Sequence, residues 1–179
     1  MGCDIHLHVE LRKKSNNGQF KQSGFRDKFS DRIYGMFARL ANVRNYNGVK
    51  HLPQRGIPEN ISPSTFRGIY KLIVPDSEYN NESDMEYYYP AKSANRWLKE
   101  GSSHVVELYG KEYCSNPDWH SYNWCTPDEM AWCVEDTFWD RETGKLYGDY
   151  IEWTALTAYM KALEDNGNNE VRAVFWFDN

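Results

Sequence analysis

The sequence lacks the features that mark membrane proteins and disulfide-bonded proteins. No apolar run approaches the roughly 18 residues of a membrane-spanning helix, and the chain does not open with a charged segment followed by an apolar one. Its four cysteines show no C-x-x-C spacing, so neither a structural zinc site nor a disulfide framework is predicted. We therefore expect a protein of the reducing cytoplasm that has no membrane partner.

The sequence also has fewer basic than acidic side chains. The 21 Lys and Arg side chains are outnumbered by 26 Asp and Glu, which gives a net charge of −5. A protein that holds long nucleic acid by neutralising phosphates needs the opposite balance, so we exclude that class of partner. A small anionic ligand stays compatible with this charge, because a few arginines in one pocket suffice to bind it.

Aromatic side chains, by contrast, are abundant and make up 16% of the residues. They combine a large apolar area with a polar edge, which suits both a core and a surface that stacks on rings or sugars. A chain of 179 residues is long enough to bury most of its apolar surface without covalent cross-links. We therefore expect a single domain, residues 1–179, with one core.

The first eleven residues alternate strictly between apolar and polar side chains. Because successive side chains of a strand point to opposite faces, this alternation predicts a strand with one core face and one polar face. The core face carries Cys3, Ile5, Leu7, Val9 and Leu11, and the polar face carries Asp4, His6, His8 and Glu10. The polar row contains only residue types that bind metals or transfer protons, which makes it the first candidate site. The alternative is an ordinary strand whose polar row faces water.

A second stretch rich in reactive and aromatic side chains is residues 116–124. Its Asn-Pro start predicts a loop, which carries Asp118, Trp119, His120, Ser121, Tyr122 and Trp124. Thr126 and Glu129 then form a capping-box pattern, which predicts a helix to about residue 137. His120 would thus lie just ahead of a helix N-terminus, where free amides favour an anion.

The remaining pattern predicts an α+β fold. Asn17-Gly18 indicates a hairpin at a sheet edge, and residues 171–179 form a strand too apolar for an edge, which we place beside the N-terminal strand. Asp178 would then lie at the polar end of that sheet. Helices are predicted over residues 31–42 with Asp31 as the N-cap, from Pro63, and over 91–100, 126–137 and 150–164; residues 75–91 are predicted to form a long surface loop. We expect a mixed or antiparallel sheet that contains both termini, with four to five surrounding helices.

Two arginines lie in or beside loops of restricted conformation. Arg44 precedes an Asn-Gly turn, and Arg55 lies between two prolines. A rigid loop can hold a guanidinium in fixed geometry for a phosphate or a carboxylate. For each arginine the alternative is a structural ion pair or a fully solvated side chain.

The Asp-x-His-x-His pattern at residues 4–8 resembles the opening metal motif of the polymerase-and-histidinol-phosphatase phosphoesterases and the paired histidines of amidohydrolases. The match covers only four or five residues, and those enzymes are barrels longer than this chain, so it serves as a chemical analogy. Carboxylates and imidazoles suit a Mn, Zn or Mg centre that generates hydroxide near neutral pH. The candidate metal ligands are Asp4, His6, His8, His120 and Asp178.

Five further blocks run from one end of the chain to the other: G-C-D-I-H at residues 2–6, residues 37–45, R-G-I-P at 55–58, His120-Ser121 before Trp124, and residues 172–178 with V-F-W-F-D. On these blocks the chain resembles a family of small, mostly uncharacterised bacteriophage and bacterial proteins. The resemblance implies a phage setting, in which small proteins intercept nucleotide-based immune signals of the host by cleavage or by sequestration. Other residues occur at the position of His8 in the family pattern, so Asp4 and His6 are the stronger ligand candidates.

The sequence therefore leaves three functions open. The first is a metal-dependent phosphodiesterase that hydrolyses a small nucleotide such as a cyclic dinucleotide. Its catalytic residues would be Asp4, His6 and His120. Phosphate charge would be neutralised by Arg44 and Arg55, a base would stack on Trp119, Tyr122 or Trp124, and Ser121 would hydrogen-bond the substrate.

The second hypothesis uses the same pocket without chemistry, as a protein that sequesters a cyclic nucleotide or an ADP-ribose derivative. The third is a protein–protein inhibitor that presents aromatic loops, with the tyrosines at residues 87–89 as its surface. The sequence does not decide between a monomer and a homo-oligomer.

Overall fold

A computed structural model describes residues 2–26, 31–80, 86–140, 142–143, 145–146 and 150–178. The chain has an α+β fold, which confirms the predicted fold class. The strands are β1 (Ile5–Lys13), β2 (Lys21–Arg26), β3 (Tyr70–Val74), β4 (Tyr88–Pro90), β5 (Val105–Leu108), β6 (Lys111–Ser115), β7 (His120–Cys125), β8 (Trp139–Asp140), β9 (Lys145–Leu146) and β10 (Asn169–Phe177). The helices are α1 (Tyr34–Ala41), α2 (Pro63–Ile69), α3 (Ala91–Glu100), α4 (Pro127–Phe138) and α5 (Ile151–Gly167), with a 3₁₀ helix at Asp76–Glu78.

These elements form two compact units. The terminal unit comprises residues 1–62 and 121–179, and the inserted unit comprises residues 63–120. One four-stranded sheet has the order β2-β1-β10-β7, a second has the order β4-β3-β6-β5, and β8 pairs with β9. The second sheet was not predicted from the sequence.

The first sheet is organised around the two ends of the chain. β1 and β10 are its interior strands and pair antiparallel, from Ile5 opposite Phe177 to Lys13 opposite Asn169. β2 pairs antiparallel with β1 at the edge, after a connection over residues 14–20 that contains Asn17 and Gly18. Both the central position of the terminal strands and the edge hairpin are confirmed.

One face of this sheet forms the core of the terminal unit. Alternate residues of β1 and β10 are buried there against α1, α4 and α5, because the period of two places every second side chain on that face. Burial of each large apolar side chain contributes about 1.5–3 kcal/mol, so this face fixes the register of the ladder. Its buried members include Leu7, Val9, Phe37, Leu40, Trp153, Leu156, Phe175 and Phe177.

Two predicted boundaries in the terminal unit were wrong. Helix α1 begins at Tyr34 after Ile33, which makes no side-chain capping hydrogen bond, so Asp31 is not its N-cap. The loop predicted to extend to residue 124 is instead a short turn, in which the Asn116 side chain accepts from the Asp118 amide at 3.0 Å, followed by β7. The Asn-Pro start indicated the turn correctly, but alternation in so short a strand gave too weak a signal.

The inserted unit has its own sheet and two helices. β3 pairs parallel with β4 and antiparallel with β6, and β5 pairs antiparallel with β6. Helix α3 spans the predicted residues and ends at Gly101, whose φ of 70° suits glycine. Its small core contains Tyr89, Ala94 and Cys114 with Ile73, Trp97 and Val105 packed against them. The predicted loop over residues 75–91 contains the 3₁₀ helix and β4, while residues 81–85 lie outside the described residues.

In the inserted unit, a hydrogen-bond network joins Tyr70 at the start of β3, His104 just before β5 and Ser115 at the end of β6. His104 Nδ1 lies 3.1 Å from the Ser115 hydroxyl, and His104 Nε2 lies 2.7 Å from the Tyr70 hydroxyl. The Ser115 hydroxyl also accepts from the His104 amide at 3.1 Å. Burial lowers the pKa of His104 below its ordinary value of 6.5, which favours the neutral ring.

No helix in the described part of the chain is long and apolar enough to cross a membrane.

Candidate functional site

The polar face of β1 is largely buried, which sequence alternation alone did not predict. On this face of β1, which pairs with β10, His8 is 3% exposed and Glu10 is 0% exposed. Their neighbours on the same face of β10, Trp176 and Arg172, are buried as well, with the His8 ring edge-on to the Trp176 ring at 5.2 Å. This face is therefore a second buried layer that contains charged groups, which need fixed partners.

At one end of this face lies a group of polar residues that we call the terminal cluster: Asp4, His6, Arg32 and Asp178. His6 Nε2 is 3.3 Å from Asp178 Oδ2, and Asp178 Oδ1 accepts from the Asp4 amide at 2.8 Å. Arg32 holds Asp4 by two hydrogen bonds, from Nε at 2.5 Å and from Nη2 at 2.8 Å. The His6 ring also stacks on Trp176, with centroids 5.4 Å apart. Thus three of the predicted site residues, Asp4, His6 and Asp178, come together.

Charge pairing determines the electrostatics of the terminal cluster. The hydrogen bonds from Arg32 lower the pKa of Asp4 below its ordinary value, so this carboxylate stays ionised. Both of its oxygens are engaged by the guanidinium. Asp4 is therefore held as one half of a bidentate ion pair.

The predicted metal ligands do not assemble into one group. Among the described residues, no three His, Cys, Asp or Glu side chains are arranged to hold a metal ion. His120 belongs to the inserted unit, as does Trp119, and both are half-buried there. His8 packs edge-on against the Trp176 ring, on which His6 also stacks. The metal centre therefore remains a prediction that none of these contacts supports.

Arg44 has a separate environment from Arg55. Its Nη1 donates to the Tyr46 hydroxyl at 3.0 Å, and its guanidinium lies 5.8 Å from the centre of the Tyr34 ring. The hydrogen bond to Tyr46 raises the pKa of Arg44 further above its ordinary value. Arg44 lines a small cavity of about 170 Å³ beside α1, in which Arg55 takes no part.

Further along the polar face, Glu10 and Arg172 form a buried ion pair. Arg172 Nε and Nη2 lie 3.0 and 2.9 Å from Glu10 Oε2, and Glu10 Oε1 accepts from the Ser62 amide at 2.7 Å. Burial lowers the pKa of Arg172, and the nearby Glu10 opposes that shift. The pair thus anchors the loop before Ser62 to the centre of the sheet.

Two guanidiniums contact one aromatic ring next to this pair. Arg172 lies 3.6 Å and Arg12 lies 4.5 Å from the centre of the Phe20 ring. Arg12 donates through Nε to Glu170 at 2.7 Å and through Nη1 to the Gly18 carbonyl at 3.1 Å. Each arginine is also paired with a carboxylate, Arg12 with Glu170 and Arg172 with Glu10, so the two like charges are compensated.

Arg55 is fixed by the helix that follows β7. It makes a bidentate pair with Glu129, the capping-box residue of α4, and Nη1 donates to the Trp124 carbonyl at 3.1 Å. Its guanidinium also stacks on the Trp124 ring at 4.6 Å. The pair with Arg55 lowers the pKa of Glu129. Arg55 therefore forms a structural ion pair, which was the alternative to ligand binding that the sequence left open.

These groups line one pocket of about 500 Å³ in the terminal unit, which we call the arginine pocket. Its wall also includes residues 57–60 of the loop, among them the exposed Glu59. Its cationic and aromatic lining consists of Arg12, Arg55, Arg172, Phe20 and Trp124.

Comparisons of the chain with protein-family models, with curated proteins and with solved structures gave no match. The suggested phage family and its chemistry therefore stay predictions.

The arginine pocket contains two of the predicted substrate-binding residues, Arg55 and Trp124. Ser121 and Tyr122 lie on the same strand as Trp124 and are half-buried, with Ser121 at a φ of 52°. Sequence reasoning missed Arg12, Phe20 and Arg172. The sequence did contain a signal for Arg172, because it is a charged residue in the apolar strand β10. A charge in such a strand must have a buried partner.

The tyrosines at residues 87–89 do not form a continuous exposed surface. Tyr87 is 58% exposed, but Tyr89 is 8% exposed and belongs to the core of the inserted unit. This arrangement gives little support to the inhibitor hypothesis.

Proposed function

We propose that the protein binds and sequesters a small anionic nucleotide in the arginine pocket, in the cytoplasm of a bacterium infected by a phage. The observation that carries this proposal is the pocket itself, where three guanidiniums and a tryptophan ring line one space of about 500 Å³. This volume falls within the range of ordinary small-ligand sites. The ligand class comprises cyclic nucleotides and ADP-ribose derivatives.

The guanidiniums retain donors for a phosphate. Arg12 uses Nε and Nη1 in its hydrogen bonds with described residues, and Arg172 uses Nε and Nη2. A guanidinium has five N–H groups, so the remaining nitrogen of each side chain can donate to a phosphate oxygen. Because Glu170 and Glu10 already hold these side chains in place, binding requires little further ordering of them.

Trp124 supplies the surface for a base. Arg55 covers part of its ring, and Trp124 also lines the pocket. Stacking of a base on an aromatic side chain contributes about 1–3 kcal/mol and tolerates any base. Phe20 has a different role, since both Arg12 and Arg172 pack on its ring.

The decisive experiment is titration calorimetry with cyclic di-GMP, cyclic di-AMP and ADP-ribose. We expect binding by at least one of them, and we expect Arg12→Gln and Trp124→Ala each to weaken it about tenfold, which corresponds to about 1.4 kcal/mol. Arg96→Gln, an exposed arginine of the inserted unit, is the matched control and should bind like the parent. Recovery of the intact ligand after heat denaturation would show sequestration.

Failure of all three ligands to bind the parent protein would contradict the proposal. Equal binding by the parent, Arg12→Gln and Trp124→Ala would place the ligand elsewhere on the protein.

Hydrolysis at the terminal cluster is the second candidate function. The observation in its favour is the 3.3 Å contact between His6 and Asp178, since a carboxylate can orient an imidazole for proton transfer. Incubation of the same nucleotides with the protein, with and without a chelator, tests it. Turnover that His6→Ala abolishes would support this function, and full turnover by His6→Ala would eliminate it.

A further inference from the structure

A groove on the exposed side of helices α4 and α5 lies within the terminal unit. It consists of two adjoining cavities of about 380 and 360 Å³, which share Glu135 and Trp139. We call it the helix groove. Trp139 is 45% exposed, an unusual degree of exposure for the largest apolar side chain.

One half of the helix groove is acidic and aromatic. Its walls, among the described residues, are Trp132, Glu135, Asp136 and Trp139. These positions are spaced i, i+3, i+4 and i+7, so they lie along one face of α4 and its C-terminal end. Two indole rings beside two carboxylates are the combination that attracts a cation, through ring faces and through charge.

The chain's own cations already occupy part of this half. The Lys50 ammonium lies 5.4 Å from the centre of the Trp132 ring. Arg39 Nε donates to Asp136 at 2.6 Å, and Arg39 Nη2 donates to the Asp136 carbonyl at 2.9 Å. Glu135 and Trp139 are the two groups for which no such contact with a described residue is present.

The other half of the helix groove is apolar. It is formed by Val134 and Ala131 of α4 and by Ala158, Thr154 and Thr157 of α5. Both threonine hydroxyls donate to carbonyls of their own helix, to Tyr150 at 3.5 Å and to Trp153 at 2.9 Å. Their methyl groups therefore contribute to the groove as apolar surface.

We propose that the helix groove binds an organic cation that carries an apolar chain. The ammonium or guanidinium lies between Glu135 and the Trp139 ring, and the apolar chain lies along the α5 side of the groove. This site is separate from the arginine pocket in its residues and opposite to it in the charge of its ligand, so the two proposals stand independently.

Titration of the full chain with hexyltrimethylammonium, followed by tryptophan fluorescence and by calorimetry, tests this site. We expect saturable binding that is at least fivefold tighter than that of tetramethylammonium, because only the longer cation reaches the apolar half. Glu135→Gln and Trp139→Ala should each weaken binding about fivefold or more. Asp165→Asn and Tyr109→Ala, which change an exposed carboxylate and an exposed ring elsewhere, should leave it unchanged.

Equal affinity for the two ammonium ions, or unchanged binding by Glu135→Gln, would overturn the proposal. Glu135 is exposed, so its neutral variant is expected to fold like the parent, which circular dichroism would verify.

The same chemistry is available from a free amine and from a lysine side chain of another protein. A capped Leu-Lys-Leu peptide, with Leu-Gln-Leu as its control, distinguishes these sources. Tighter binding of the lysine peptide than of hexyltrimethylammonium identifies a protein ligand, and the reverse order identifies a free amine. Absence of binding by both overturns the site.

Discussion

Glu10 and Arg172 bury a full ion pair at the centre of the first sheet, with side-chain exposures of 0% and 8%. Removal of one partner leaves the other charge without compensation in a poorly solvated position. We expect Glu10→Gln to lower the free energy of unfolding by about 3–5 kcal/mol, as measured by urea denaturation. It should also loosen the loop that Glu10 holds through the Ser62 amide.

Replacement of both partners separates the charge effect from packing. The double variant Glu10→Leu with Arg172→Leu removes both charges, so we expect it to be more stable than Arg172→Leu alone. A double variant that is as unstable as the sum of the two single variants would show that the two side chains are not energetically coupled.

His104 gives the inserted unit a predicted dependence on pH. Since burial places the pKa of His104 in the folded protein below 6.5, the unfolded chain binds more protons at this residue. The contribution of the neutral ring is complete above pH 6.5 and is lost as the pH falls from 6.5 through the folded-state pKa. We expect the urea midpoint to fall over this window, and His104→Gln should remove that part of the decline. An identical pH profile for the variant would assign the decline to other groups.

At the scale of secondary-structure elements, the capping box of α4 connects local structure to the arginine pocket. The Thr126 hydroxyl accepts from the Glu129 amide, and Glu129 in turn accepts from the Thr126 amide and from Arg55. We expect Thr126→Ala to cost about 1 kcal/mol of unfolding free energy, with some loss of order at Arg55. The exposed Thr154→Ala, in the interior of α5, is the control and should change stability by less than about 0.5 kcal/mol.

The elements that sequence reasoning predicted well have local causes. The Thr126 capping box and the end of α3 at Gly101 each depend on residues a few positions apart. The hairpin between β1 and β2 was also predicted, although its connection spans residues 14–20 and is longer than an Asn-Gly turn. The start of α1 was wrong because its true N-cap, Ile33, carries no capping side chain to be recognised.

The candidate site depends on contacts between distant residues, and this limited what could be predicted. Alternation correctly assigned His6 and Glu10 to one face of β1, but it carries no information about what covers that face. Arg55 was recognised as a fixed guanidinium, whereas its partner Glu129 lies 74 residues further along the chain. The contacts of the Phe20 ring with Arg12 and Arg172 have no local sequence signal at all.

At the scale of the whole molecule, the two units differ in the size of their cores. The terminal unit buries a large cluster against three helices, and the small core of the inserted unit is built around Tyr89, Ala94 and Cys114. We therefore expect backbone amides of β3 and β6 to exchange with deuterium faster than those of β1 and β10, because local opening exposes less apolar surface there. Equal protection of both sheets would contradict this expectation and would indicate one cooperative unfolding unit.

The antiparallel pairing of Ile5 with Phe177 also has a consequence for protein synthesis. Until the ribosome has released β10, β1 lacks this partner, so one edge of β1 stays unpaired while the intervening residues are synthesised. The nascent chain therefore has to avoid aggregation through β1 until β10 emerges, and chaperones that bind extended apolar segments should recognise it during that interval.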